Sequence, residues 1–129
     1  MSSTQESASE VPRRIVIIGG HSGGIGFMSQ TRRFTDRTEI ILLEKGPYVG
    51  TVTCGLSHFL AGTVPDRDVL VSTDPDALAN RFRSELRLRE EVIGLDRERK
   101  VLSVRKLESG ETYTLTYDKL LLATGASPA

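Results

Sequence analysis

Three groups of residues in this chain have types and spacing suited to chemistry. The run IVIIGGHSGGIG, residues 15–26, ends an apolar stretch in glycines that let a backbone come close to an anion. Glu44 follows Gly24 by twenty residues and closes a second apolar run, EIILLE. Cys54 is the single cysteine. A helix N-terminus behind glycines presents unpaired N–H groups and a partial positive charge, which suit a pyrophosphate. A carboxylate at the end of the next strand can accept hydrogen bonds from both hydroxyls of an adenosine ribose. A thiol at the start of a helix is drawn toward thiolate, the form that attacks disulfides and is oxidised to sulfenate.

Positioning these groups takes a strand, a glycine turn, a helix and a second strand. Arg14–Ile18 reads as a strand buried on both faces of a parallel sheet. Residues 24–34 read as the crossover helix, with Ile25, Met28 and Thr31 toward the sheet and Gln30, Arg32 and Arg33 outside. Glu39–Glu44 is the second parallel strand, so both strand ends meet on one edge. This order is the fingerprint of a dinucleotide-binding crossover. Against GxGxxG the positions are Gly19, His21 and Gly24, so the central glycine is replaced. His21 reads as a neutral, solvated ring near the turn, without a proton-transfer role. Glu44 would repel a 2′-phosphate, which disfavours NADP at this unit.

Beyond Glu44, Lys45-Gly46-Pro47 forces a turn into an irregular connection. Residues 54–61 read as a short helix stopped by Gly62, with Cys54 at its start and His58 on its surface. Asp74-Pro75-Asp76 opens a helix that runs through residues 77–82. Residues 85–95 alternate like one half-exposed strand. Residues 101–107 and 112–117 form a β-hairpin about Ser109-Gly110, with Tyr113, Leu115 and Tyr117 on one face. Residues 119–124 are a last apolar strand, stopped by Gly125.

Bulk properties narrow the classes. Lys plus Arg and Asp plus Glu are both 17, which gives no reason to expect nucleic acid or an anionic membrane as partner. No apolar run approaches the roughly 18 residues of a membrane span. One cysteine excludes an internal disulfide or a CxxC pair, and two distant histidines argue against a metal site. Residues 1–12 read as a disordered tail without a targeting pattern, so a cytoplasmic location is expected.

The stretch YDKLLLATGA, residues 117–126, together with the glycine turn resembles the FAD-binding domain of the pyridine nucleotide–disulfide oxidoreductase family, over residues 13–129. The resemblance implies a Rossmann-like FAD/NAD(P)-binding α/β fold with a parallel sheet and an inserted hairpin. It implies cofactor contacts from Gly19, Gly20, His21, Ser22, Gly23, Gly24, Glu44, Lys45, Val92, Thr124 and Gly125. The segment EKGPYVGTVTCGLSHFLAGTVPDRDVL is similar to the single-cysteine branch: coenzyme A–disulfide reductases, coenzyme A persulfide reductases and NADH oxidases or peroxidases. Cys54, Gly55 and Leu56 match the redox position, and Asp66-Arg67 match a later aspartate–arginine pair. Gly50, Thr51 and Thr53 replace the branch's Ser, Phe and Asn, and Ser57-His58 replace its Pro-Tyr. Gln30 and Arg33 match helix positions that hold coenzyme A.

Only one nucleotide fingerprint is present, so the resemblance implies an N-terminal part of an FAD domain, incomplete and inactive alone. In a full-length homodimer, electrons would pass from NAD(P)H through FAD to Cys54 and a small thiol, disulfide, persulfide or peroxide. Two other readings remain open at this point. One is a ferredoxin- or rubredoxin-reductase-like flavoprotein without a redox cysteine. The other is a non-catalytic dinucleotide-binding module.

Overall fold

The computed structural model describes residues 11–51, 56–66, 68 and 73–127. Four strands make a parallel sheet: β1 (Arg14–Ile18), β2 (Glu39–Glu44), β3 (Glu85–Leu88) and β7 (Lys119–Leu122), in the order β3-β2-β1-β7. Three more make an antiparallel sheet in the order β4-β5-β6: β4 (Glu90–Asp96), β5 (Val101–Lys106) and β6 (Thr112–Thr116). The helices are α1 (Ser22–Phe34), α2 (Leu56–Leu60) and α3 (Pro75–Phe82).

The strand pleat sorts the apolar residues into two cores. Ile15, Ile17, Ile40 and Leu42 face one way and pack with Met28 of α1, Val49, and Leu78 and Phe82 of α3. Val16, Ile41 and Leu43 face the other way, against Leu102, Val104 and Leu115 of the antiparallel sheet. The result is three layers: helices, parallel sheet, antiparallel sheet. β1 and β2 sit inside the parallel sheet and are buried on both faces, as their unbroken apolar runs require.

Several elements match their sequence patterns closely. Asp74 caps α3, its carboxylate accepting from Asp76 N at 3.0 Å, with Pro75 in the first turn. Leu115 is buried and Tyr113 and Tyr117 are half-buried, while Thr112, Thr114 and Thr116 face solvent. Gly110, at φ +75°, closes the β5–β6 turn.

Two expectations are corrected. The alternating stretch from residue 85 to 95 is two strands in two sheets, not one. Arg89, at φ +55°, breaks it, and its N–H donates to Gly46 O at 3.2 Å while its carbonyl accepts from Leu107 N at 2.9 Å. The expected hairpin is β5 and β6, and β4 extends it to a three-stranded antiparallel sheet. Arg32 is not available outside the crossover helix. Its guanidinium donates to the carbonyls of Phe82 at 2.6 Å, Thr38 at 2.6 Å and Arg83 at 2.7 Å, locking α1 to α3 and β2.

The seam between the sheets carries a polar cluster. Arg87 of β3 donates to Glu85 at 2.8 Å and to the Tyr113 hydroxyl of β6 at 2.9 Å. That hydroxyl in turn donates to Glu90 of β4 at 3.1 Å. Burial raises the Tyr113 phenol above its ordinary pKa; nearby Glu90 adds to the rise and Arg87 opposes it.

Candidate functional site

The C-terminal ends of β1, β2 and β7 meet on one edge, where the glycine turn and Glu44 lie. Gly19 leaves β1 at φ +112°, its N–H donating to Leu43 O at 2.9 Å. A Cβ at Gly19 would strike the carbonyl of Ala123, at the end of β7, and a Cβ at Gly24 would strike Gly19 O. These two glycines let three backbones touch. At Gly23 a Cβ would meet only Ala123 Cβ at 3.5 Å, an ordinary contact. Gly19 and Gly24 are therefore required by the fold, whereas Gly23 leaves open space in front of the turn.

Helix α1 begins at Ser22, two residues before the expected start, so Ser22, Gly23 and Gly24 form its first turn. Their N–H groups precede the first intrahelical bond, which runs from Ile25 N to His21 O at 2.9 Å. His21 makes no side-chain cap, and the first turn holds no acidic residue. An anion would therefore meet free donors and the positive end of a 13-residue helix.

Glu44 is buried to all but 6% of its surface. One carboxylate oxygen accepts from Gly20 N at 3.1 Å and the other from Gly46 N at 2.6 Å. A carboxylate has about four lone-pair positions, so acceptor capacity is left for hydroxyl donors. The two amides hold the carboxylate without using up its acceptor capacity. Lys45 follows, exposed.

Other predicted residues are placed less centrally. β7 ends at Leu122, two residues before the expected Thr124; Thr124 and Gly125 follow after Ala123, with Gly125 at φ +71°, and both are exposed. Val92 lies on β4, where its half-buried side chain packs against the second core. Gln30 and Arg33 are exposed on the later turns of α1. Cys54 and Arg67 lie outside the described residues. His58 is exposed on α2, and Asp66 accepts from Asp68 N at 2.9 Å.

Sequence reasoning missed the connection that follows Glu44. Val49 is buried and packs over Gly20, where a Cβ would come within 2.8 Å of it, and Gly50 N donates to Gly20 O at 2.7 Å. Thr51 brings its hydroxyl to 2.7 Å from His21 Nδ1. His21 lies at the turn with its side chain 45% exposed, between Thr51 and Glu44. The signal available was a histidine at the central glycine position of the fingerprint.

A cleft of about 510 Å³ lies elsewhere, lined in part by Glu39, Arg83 and Glu85 at the N-terminal ends of β2 and β3. Those three charges are already paired with Arg14, Asp36 and Arg87, respectively. It is remote from the glycine turn. Among the described residues no group of three His, Cys, Asp or Glu side chains is placed to hold a metal ion, and no helix is long and apolar enough to cross a membrane.

The sequence from residue 13 to 129 matches the family model described as pyridine nucleotide-disulphide oxidoreductase. The chain belongs to that family. It is 32% identical over 114 residues to coenzyme A disulfide reductase of Staphylococcus aureus (strain MRSA252), covering 88% of this chain and 26% of that protein. The crystal structure of reduced Bacillus anthracis CoADR-RHD superposes with a TM-score of 0.87 at 32% identity, over 92% of this chain and 21% of the other. A NAD-dependent persulfide reductase from A. fulgidus gives 0.84 at 31% identity, over 90% and 22%. The chain spans about a quarter of the length of the curated relatives it matches. The Rossmann-like α/β fold expected from the glycine turn is the fold these neighbours share.

Proposed function

We propose that residues 13–129 form the FAD-binding part of an NAD(P)H-dependent oxidoreductase acting on a small disulfide, persulfide or peroxide. The observation that carries this reading is the buried Glu44 carboxylate, oriented by two backbone amides beside an uncapped helix N-terminus. The adenosine ribose would bind Glu44, and the pyrophosphate the N–H groups of Ser22, Gly23 and Gly24. Lys45, Thr124, Gly125 and the backbone at Val92 would complete the contacts. FAD, when bound, supplies two-electron redox chemistry at its isoalloxazine ring.

Cys54 is the proposed nucleophile. Its thiolate sulfur would bond to one sulfur of the substrate disulfide, and the other sulfur would leave as thiolate, giving a mixed disulfide. Two electrons originating from NAD(P)H would then return Cys54 to thiolate and release the second thiol. Gln30 and Arg33, exposed on α1, would bind that thiol's polar portion. The activities for which these relatives are named, disulfide and persulfide reduction, favour sulfur substrates over peroxide. The full-length protein is read as a homodimer.

The test separates nucleotide from thiol chemistry. Calorimetry with ADP should detect binding to the wild-type chain, weakened about tenfold by Glu44→Gln, because a neutral amide cannot accept from both amides and the ribose. In the full-length protein Cys54→Ser should abolish disulfide reduction and leave ADP affinity unchanged. Equal ADP affinity for wild type and Glu44→Gln would remove the nucleotide reading, and disulfide turnover by Cys54→Ser would remove the thiol reading.

A further inference from the structure

His21 has a geometry that the proposed function leaves unused. Its Nδ1 lies 2.7 Å from Thr51 Oγ1, and its Nε2 lies 3.5 Å from Glu44 Oε1. An ionised carboxylate only accepts, so the ring proton belongs on Nε2 and Nδ1 accepts from the Thr51 hydroxyl. One tautomer suits both neighbours, with a hydrogen bond at Thr51 and a longer electrostatic contact at Glu44. As the N-cap residue of α1, His21 makes no side-chain bond to the helix, so the ring is free for this bridge. It joins the end of β2 to the connection that Val49 and Gly50 pack against Gly20.

We propose that His21 is a positioning residue for nucleotide binding: Nε2–H orients the Glu44 carboxylate while Nδ1 ties Thr51 to the same turn. The inference rests on Glu44 as the ribose acceptor. A carboxylate set in advance between the turn and the connection loses less rotamer freedom when ligand arrives, which strengthens binding without adding a ligand contact. Because Thr51 precedes Cys54 by three residues in the sequence, the same ring links the nucleotide end to the segment that carries the thiol.

The experiment compares wild type with His21→Ala, His21→Gln and His21→Asn by calorimetry with ADP, a probe that offers a ribose and a diphosphate. A Gln amide nitrogen can stand in for Nε2, whereas Asn reaches only toward the Nδ1 position. His21→Ala should weaken ADP about fivefold to tenfold, the scale of one lost hydrogen bond. His21→Gln should restore most of that loss and His21→Asn little of it, a difference that lost packing volume alone would not produce. Long-range ¹H–¹⁵N spectra of the wild type, which need no variant to fold, should show the ring protonated at Nε2 and bare at Nδ1 at about pH 8. Unchanged affinity in His21→Ala, equal behaviour of Gln and Asn, or an Nδ1-protonated ring would each overturn the role of His21. A wild-type chain that ignores ADP would overturn the ribose reading beneath it as well.

Discussion

The two ends of the parallel sheet are closed by opposite means. At the C-terminal end, backbone meets backbone: Gly19, Gly24 and Ala123 pack without intervening side chains, and Glu44 is held by main-chain amides. At the N-terminal end, long cationic side chains do the joining. Arg32 reaches four carbonyls, those of Phe82, Thr35, Thr38 and Arg83, and Arg14 reaches Glu39 at 2.8 Å and Thr116 O at 3.2 Å. Asp118 accepts from Arg14 N at 2.8 Å and pins the start of β7 to β1. The difference teaches where a ligand can enter. Short residues leave uncapped amide donors beside an oriented carboxylate at one end, while at the other the charges lining the cleft are already paired.

That contrast can be broken with single substitutions. The largest effect is expected from Gly24→Ala, because the added Cβ would displace Gly19 O, a backbone atom that cannot swing aside. Chemical denaturation should show a loss of about 3 kcal/mol or more. Gly23→Ala, one residue away with only ordinary contact to Ala123, should leave stability nearly unchanged yet weaken ADP binding. If both glycines behaved alike, the division between a fold-required and a ligand-facing glycine would fail.

Arg32→Met tests the other end. It keeps the aliphatic stem and removes the donors to Phe82, Thr38 and Arg83 carbonyls. A loss of about 2 kcal/mol on denaturation is expected, with ADP affinity untouched. A change in affinity would show that the two ends are coupled.

The smallest effect concerns the seam between the sheets. The Tyr113 phenol titrates higher when folded than when unfolded, so the unfolded chain releases this proton first. Its contribution is complete below about pH 10, the unfolded value, and is lost as pH rises through the higher folded value. Tyr113→Phe should flatten that alkaline decline in denaturation midpoints relative to wild type, with no change at neutral pH beyond the lost hydrogen bonds.

Much of the architecture was legible in residue order. The doubly buried strands β1 and β2, the Asp74 cap and the Tyr-Leu-Tyr face of β6 follow from local periodicity and turn chemistry. The break at Arg89 was not legible, because a left-handed conformation adopted by arginine leaves no mark in residue type. What forces it is distant: the Gly46 carbonyl on one side and Leu107 N–H on the other.

By itself the amino-acid order pointed to a glycine turn, an acid and a thiol as candidates for chemistry, and it determined the α/β fold class. Tertiary structure alone decided that Glu44 would be gripped by Gly20 and Gly46, that His21 would meet Thr51, and that Arg32 would be consumed in carbonyl bonds. Period and propensity act over a few neighbouring residues. These partnerships join groups whose nearness depends on where the chain returns after folding, and that is settled by packing around the two cores.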